Sequence, residues 1–472
     1  MYKHGISVEE KSTQMQRSVV SDSAIQVVVG TAPVNLIKEN TLNEPVILNN
    51  FEDAQTKMGY SEDTEKFSIC EAIDVAFNIF KVSPIVAINV LNKDKHVQAV
   101  TSTPYQISNR EVIIDEQGIL LDSVVITSGE STYENEKDYI LEFTATGKLK
   151  VTVLEEGTIS SETTELSVAY TKLDPSLVTE DDILAGIEKI KNVYPKLNVV
   201  PGLLVVPGWS QKINVKKAML RQTEKLNGLF NCSALLDIDT EVATTIEEAI
   251  KFKEDNMYID KRAIVLWPMI KISGKKYYYS TVLASLIAYV DYINDNVPFV
   301  SPSNKKMNIS GVCLNDGSEV IFDYEDANEL NAVGIVTAVN LNGWRAWGNN
   351  TSIYPQSDDV KERFIPVRRM FDWWANSFIL RYFERVDDPL NTKLIESIVD
   401  EENILANGFK SRFQIADAKI EFLPEDNSTA DLLNGHIKFR QSLTPFPPAE
   451  SIENVLEYDT SALSESIFGG EN

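Results

Sequence analysis

The chain alternates between two textures of apolar residues. From residue 23 to 95, "AIQVVVGTAP" and "SPIVAINVLN" are short, continuous apolar runs, the pattern of strands buried on both faces. Between them, "FSICEAIDVAFNIF" repeats at helical spacing, with Ile69, Ile73, Phe77 and Phe80 on one face. A helix crossing between two core strands is predicted here. From 96 to 172 the runs shorten to "SVVIT", "DYILEF", "KLKVTVL" and "ELSVAY", separated by polar turns, which predicts a small antiparallel sandwich or barrel inserted into the α/β part.

"TEDDILAGIEKIKNVYP" then opens a helix, with Thr179 as N-cap, Asp182 at the capping-box position and Pro195 placed past the end. Between 173 and 340, apolar strands ("GLLVV", "CSALLDID", "RAIVLW") alternate with helical stretches such as "TTIEEAIKFKED" and "STVLASLIAYVDYIND". Such alternation predicts a doubly wound parallel sheet. After 341 come "NLNGWRAWGNNTS", the amphipathic helix "VRRMFDWWANSFILRYFERV", a helix beyond Pro389 and a strand in "GHIKFRQSL". The segment "SIENVLEYD" alternates again, Ile452, Leu456 and Tyr458 opposed to Glu453, Val455, Glu457 and Asp459, and reads as a terminal strand with one wettable face.

Composition changes this picture little, and charge more. At 472 residues with 43% hydrophobic and 24% charged residues, the chain has the profile of a folded protein of several domains. A net charge of −26 argues against nucleic acid and anionic membrane as partners. Cys70, Cys232 and Cys313 are widely spaced, without C-x-x-C, so neither a disulfide framework nor a zinc site is indicated. The N-terminus lacks the apolar core of a signal peptide, and no apolar run reaches the ~18 residues that a membrane span needs. A soluble protein without a cleaved signal is expected.

Catalytic chemistry has one candidate. Asp237 and Asp239 close the apolar strand in "LLDIDTEV", where haloacid-dehalogenase-like phosphatases hold Mg²⁺ between two such carboxylates. The Thr or Val that those enzymes carry four residues on is here Glu241. Phosphate-binding glycine motifs are missing from "VVPGLLVVPGW", and His4, His96 and His436 are scattered. No catalytic, metal or cofactor residue is therefore assigned, and the protein is expected not to be an enzyme. Trp344, Trp347, Trp373 and Trp374 read either as a filled core around the long helix or as an aromatic contact surface. Lys361, Arg363, Arg368, Arg369, Arg381 and Arg385 concentrate positive charge in the same region, as a solvated face or a site for an acidic partner.

Several blocks, in order, resemble the contractile tail sheath proteins of myophages, R-type bacteriocins and related contractile injection machines. They are "YKHGISVEE…QVVVGTAP", "DYILEF…GKLKVTVLEEGTISSETTELSVAYTKLDPSLVTEDDILAGI", "NGWRAWGNNT", "IPVRRMFDWW" and "HIKFRQSLTPFPPAESIENVLEYD". The resemblance implies an α/β multidomain chain. Its parts would be a discontinuous α+β sheath core (23–95 and 341–444), a β-rich insertion (96–172), a doubly wound middle domain (173–340) and extended arms (1–22 and 445–472). It implies a structural subunit that stacks in rings with copies of itself around a tail tube, bounded by baseplate and tail terminator proteins, without cofactor, nucleic acid or membrane insertion. Such a particle is a virion tail or bacteriocin assembled in the bacterial cytoplasm. Sheath arms complete neighbours' sheets, which points to Ile6, Val8 and Glu9 at one end and Ile452, Val455, Leu456 and Tyr458 at the other. The family's inner wall is its C-terminal core, which makes Arg368, Arg369, Arg381 and Arg385 candidates for facing the tube. The arms carry opposite charge, Lys3, Lys11 and Arg17 against Glu9 and Glu10 in the first, and only acidic residues from Gln441 onward in the second. Pro445, Pro447 and Pro448 form a stiff spacer before the last strand.

Overall fold

A computed structural model describes residues 19–20, 23–144 and 146–469. Its main body is one mixed sheet. In chain order its strands are β1 (Gln26–Gly30), β2 (Pro45–Leu48), β3 (Ile85–Asn89), β4 (Leu203–Val205), β5 (Ser233–Asp237), β6 (Ala263–Leu266), β7 (Ile335–Asn340) and β8 (Trp344–Trp347). Their spatial order is β8-β7-β6-β5-β4-β1-β3-β2. The six inner strands run parallel, and both edge strands are antiparallel.

Strand pleating sorts the side chains between two cores. Val28, Ile85 and Ala87 face a layer containing α1 (Ser68–Ile73) and the later helix α4 (Tyr279–Tyr292), while Val27, Val29, Val86 and Ile88 face the opposite layer. That second layer holds α2 (Glu180–Glu188), α3 (Ile246–Asp255) and α5 (Tyr324–Ala332). Full burial on both faces explains why these strands are continuous apolar runs.

Strands from 23–95 and from 173–340 therefore interleave in a single sheet, with Leu203–Val205 paired in register with Gln26–Val28. The sequence reading of a core domain separate from a middle domain is corrected here. A βαβ pattern shows that strands are parallel, and it says nothing about which distant strand lies beside which.

Residues 97–173 form two small sheets face to face, one of four strands and one of three. Val112, Ile114, Ile126, Tyr139, Val151, Leu166 and Val168 fill the space between them. At the return to the main body the Asp182 carboxylate accepts from the Thr179 N–H (2.9 Å) and Oγ (2.6 Å), fixing the start of α2. Pro195 lies inside a short helix, Val193–Leu197, rather than beyond a helix end. The crossing helix also differs in detail, since α1 continues as a π-helical turn from Asp74 to Phe80.

The C-terminal part packs α6 (Ile365–Tyr382) and α7 (Thr392–Ser411) with the hairpin β9 (Asp417–Glu421) and β10 (Arg440–Thr444). Met370, Trp374, Ala406 and Ile415 form its core, and the rings of Trp373, Trp374 and Phe409 meet edge to face. For Trp373 and Trp374 the core reading is the one realised. The chain ends in α8 (Thr460–Phe468), an element absent from the sequence reading. Among the described residues no helix is long and apolar enough to cross a membrane.

Candidate functional site

Asp237 stands at the carboxyl end of β5, where ligands are commonly held in such sheets. Its carboxylate is already engaged: Oδ1 accepts the Ser280 N–H at 2.9 Å, and Oδ2 accepts the hydroxyls of Ser280 at 2.5 Å and Ser210 at 3.3 Å. Glu71 does the same from the other side, accepting the Tyr278 N–H at 2.7 Å and the Thr281 hydroxyl at 2.6 Å. Both carboxylates thus satisfy the open N–H groups at the start of α4. Burial raises the Glu71 carboxyl to about 8 and that of Asp237 to about 6. Asp239 caps the following turn through the Glu241 N–H (2.9 Å), and Glu241 pairs with Asn315. Among the described residues no three His, Cys, Asp or Glu side chains gather as a metal-ligand set. The Mg²⁺-phosphatase reading finds no support in this arrangement.

The basic run is not a continuous surface. Arg369 is buried and bonds both oxygens of Asp291, at 3.0 and 2.5 Å, while its second nitrogen reaches the Ser23 carbonyl at 3.5 Å. Arg368 is buried too and shares Asp372 with Arg262. These two arginines are internal ties between α6, α4 and the sheet, so their assignment to a tube-facing surface is withdrawn. Asp372, one helical turn after Arg368, was the signal in the sequence that the charge is spent internally. Arg381 sits at the margin, donating to the fully buried Glu402 at 2.9 and 2.6 Å. Arg385 is half exposed, with only long contacts to Asp388 (4.0 Å) and Glu401 (3.8 Å).

The terminal segment has a different character. Beyond Glu450 the backbone leaves the body, and the strand expected over "SIENVLEYD" is not formed in the free chain: residues 451–459 carry no secondary structure, having no neighbouring strand to pair with among the described residues. Ile452 is 89%, Leu456 87%, Tyr458 75% and Val455 71% exposed. In α8, Leu463, Ile467 and Phe468 are exposed as well. A run of apolar side chains held in water at the end of a folded chain is unusual for a monomer and typical of a surface awaiting a partner. The hairpin β9–β10 is equally incomplete, a two-stranded sheet with no third strand among the described residues. Such a pair is marginal alone and presents open N–H and C=O groups at its edges. Ile6, Val8 and Glu9 lie outside the described residues.

No protein-family profile matches the chain. The tail sheath protein of Burkholderia phage BcepMu is 25% identical over 99% of this chain and 98% of its own length. That of Escherichia phage P2 is 26% identical over 63% of this chain and 73% of its own. A putative prophage major tail sheath protein of Pseudomonas aeruginosa is 24% identical over 60% and 71%. Among solved structures, a chain of the anti-feeding prophage baseplate superposes with a TM-score of 0.61 at 13% identity, covering 98% of this chain and all of its own (100%). The contracted sheath complex of an extracellular contractile injection system, PVC, gives 0.57 at 14% identity over 98% of this chain and 99% of the other. The resemblance seen in the sequence blocks is thereby borne out along the whole chain.

Proposed function

We propose that this chain is the subunit of a contractile tail sheath, polymerising around a tail tube and contracting to drive it through a cell envelope. The observation that carries the reading is the pairing of two incomplete elements in one chain: the uncovered apolar segment 451–459 and the open-edged hairpin β9–β10. Each would be completed by a second copy, since an extended segment adds to an open edge through main-chain hydrogen bonds. Likeness over nearly the whole chain to the tail sheath protein of phage BcepMu supports the same conclusion.

In this reading the N-terminal segment, with Ile6, Val8 and Glu9, and the C-terminal segment, with Ile452, Val455, Leu456 and Tyr458, link neighbouring subunits. Compact bodies can then rotate while the tethers rebind at high effective concentration. The work is mechanical. An extended sheath is kinetically trapped, and contraction releases free energy as subunits bury more mutual surface, with no cofactor or nucleotide in the cycle. The partners are further copies of the chain, the tail tube, and the baseplate and terminator proteins at the ends, in a particle assembled in the bacterial cytoplasm. Of the basic run, Arg385, flanked by Arg381, remains the candidate for an acidic tube surface.

Electron microscopy of the purified chain tests this. Tubes or stacked rings are expected; particles that stay monomeric at high concentration and with added tail tube would overturn the proposal.

A further inference from the structure

Among the described residues Glu450 is the last that hydrogen-bonds to the body; beyond it, their hydrogen bonds stay within 459–469. Its partner is Arg363, at the end of the short helix Val360–Arg363 that leads into α6. The Arg363 guanidinium packs on two rings, 4.4 Å from the centre of Tyr354 and 4.3 Å from that of Phe364. Its Nε donates to the buried Asn350 Oδ1 at 3.0 Å, and Nη2 donates to Glu450 Oε2 at 2.7 Å. The Asn350 amide reaches Glu450 Oε1 at 3.5 Å. The backbone beneath is pinned as well, because Thr351 bonds the carbonyls of Arg363 (2.6 Å) and Glu362 (2.7 Å).

We infer that Arg363, Asn350 and the two rings form a carboxylate-binding site, occupied in the free chain by Glu450, that latches the C-terminal segment and sets the direction in which it leaves the body. Contact with the two rings orders the guanidinium and shields it from water, leaving the side chain 18% exposed where the carboxylate binds. An ordinary exposed ion pair would be too weak to hold a segment. This one has its cation fixed in advance, so little rotamer freedom is lost on closing. The carboxylate side is the movable half, 35% exposed against 18% for Arg363, and it sits on a spacer stiffened by Pro445, Pro447 and Pro448. Six residues on, past the extended Phe364 and inside α6, Arg369 reaches the Ser23 carbonyl at 3.5 Å. The latch goes beyond the sheath reading and is measured on the unassembled chain, so either can fail without the other.

The test uses the full chain with Lys251→Cys and Ser451→Cys spin-labelled, the second label standing next to Glu450; Cys70, Cys232 and Cys313 are buried and stay unlabelled. Pulsed dipolar spectroscopy should give a narrow distance distribution in this background. Glu450→Gln should at least double its width, and Arg363→Lys should do the same, because lysine keeps the charge and loses the planar fork. Asn350→Asp, which brings a second carboxylate to the guanidinium, should also broaden it. A distribution that is already broad without these changes, or an unchanged width in Glu450→Gln with cooperative melting retained, would overturn the latch.

Discussion

Arg262 and Asp372, 110 positions apart, meet in a buried two-pronged ion pair, Nε and Nη2 donating to Asp372 Oδ1 at 3.1 and 3.0 Å. Arg368 bonds the same carboxylate at 3.0 Å through Nη2. One carboxylate is therefore shared by two buried guanidiniums and ties α6 to the sheet, with Glu224 as a longer second contact of Arg262 at 3.6 Å. Asp372→Ala should lose about 3–5 kcal/mol in urea unfolding, because Arg368 loses its carboxylate and Arg262 keeps only that long, largely exposed contact.

The same logic separates the arginines of the basic run. Arg381→Glu should destabilise the fold, since it removes the cation paired with the fully buried Glu402, leaves that carboxylate only the Gln441 amide as a hydrogen-bond donor of those described, and sets a like charge beside it. Arg385→Glu should leave stability within about 0.5 kcal/mol. If Arg385 faces an acidic tube, its reversal should slow tube-templated polymerisation while self-assembly persists, measured by light scattering with and without tube protein.

Glu71 and Asp237 predict a pH dependence. Their folded carboxyls titrate near 8 and 6, above the ordinary 4.5 and 3.8, so the folded state holds protons that the unfolded chain has released. The stability they contribute is complete in acid and declines as pH rises through these values. Glu71→Gln cannot titrate, so the parent should lose stability relative to this variant between about pH 4.5 and 8 and then run parallel to it, read from melting curves across that range.

Deleting residues 451–472 should change unfolding stability by less than about 0.5 kcal/mol, because 451–459 make no hydrogen bonds to the body. Tube formation should be lost, as seen by electron microscopy. Leu456→Pro should reproduce this loss at one position, since proline removes an N–H that a strand in a neighbour's sheet would use. A deletion that abolishes cooperative melting would mean that the segment belongs to its own fold.

Gly186 brings α2 against the sheet. A Cβ there would stand 2.5 Å from Val90 Cγ1 and 2.8 Å from Val29 Cγ1. Gly186→Ala should therefore cost about 1–3 kcal/mol by overpacking, despite alanine's higher helix propensity, as measured by urea unfolding.

The chain by itself determined whatever depends on neighbours a few residues apart. Continuous apolar runs marked the strands around Val27–Val29 and Ile85–Ile88, helical spacing marked the helix at Ile69 and Ile73, and the Thr179–Asp182 cap is a three-residue matter. The unpaired character of Ile452 to Tyr458 was legible too, as alternation without a core nearby. Only the tertiary structure decided that β4 lies beside β1, with a whole sandwich inserted between them in the chain, because strand pairing across such a span leaves no local period. It alone decided that Arg368 and Arg369 are internal, since a charge on a helix is a surface feature until the element packed against it supplies a carboxylate, and Asp291 lies 78 positions from Arg369. The meeting of Arg363 with Glu450, 87 positions apart, is of the same kind: each side chain is unremarkable in sequence, and the two aromatic faces that make the pair a site are aligned only by the fold.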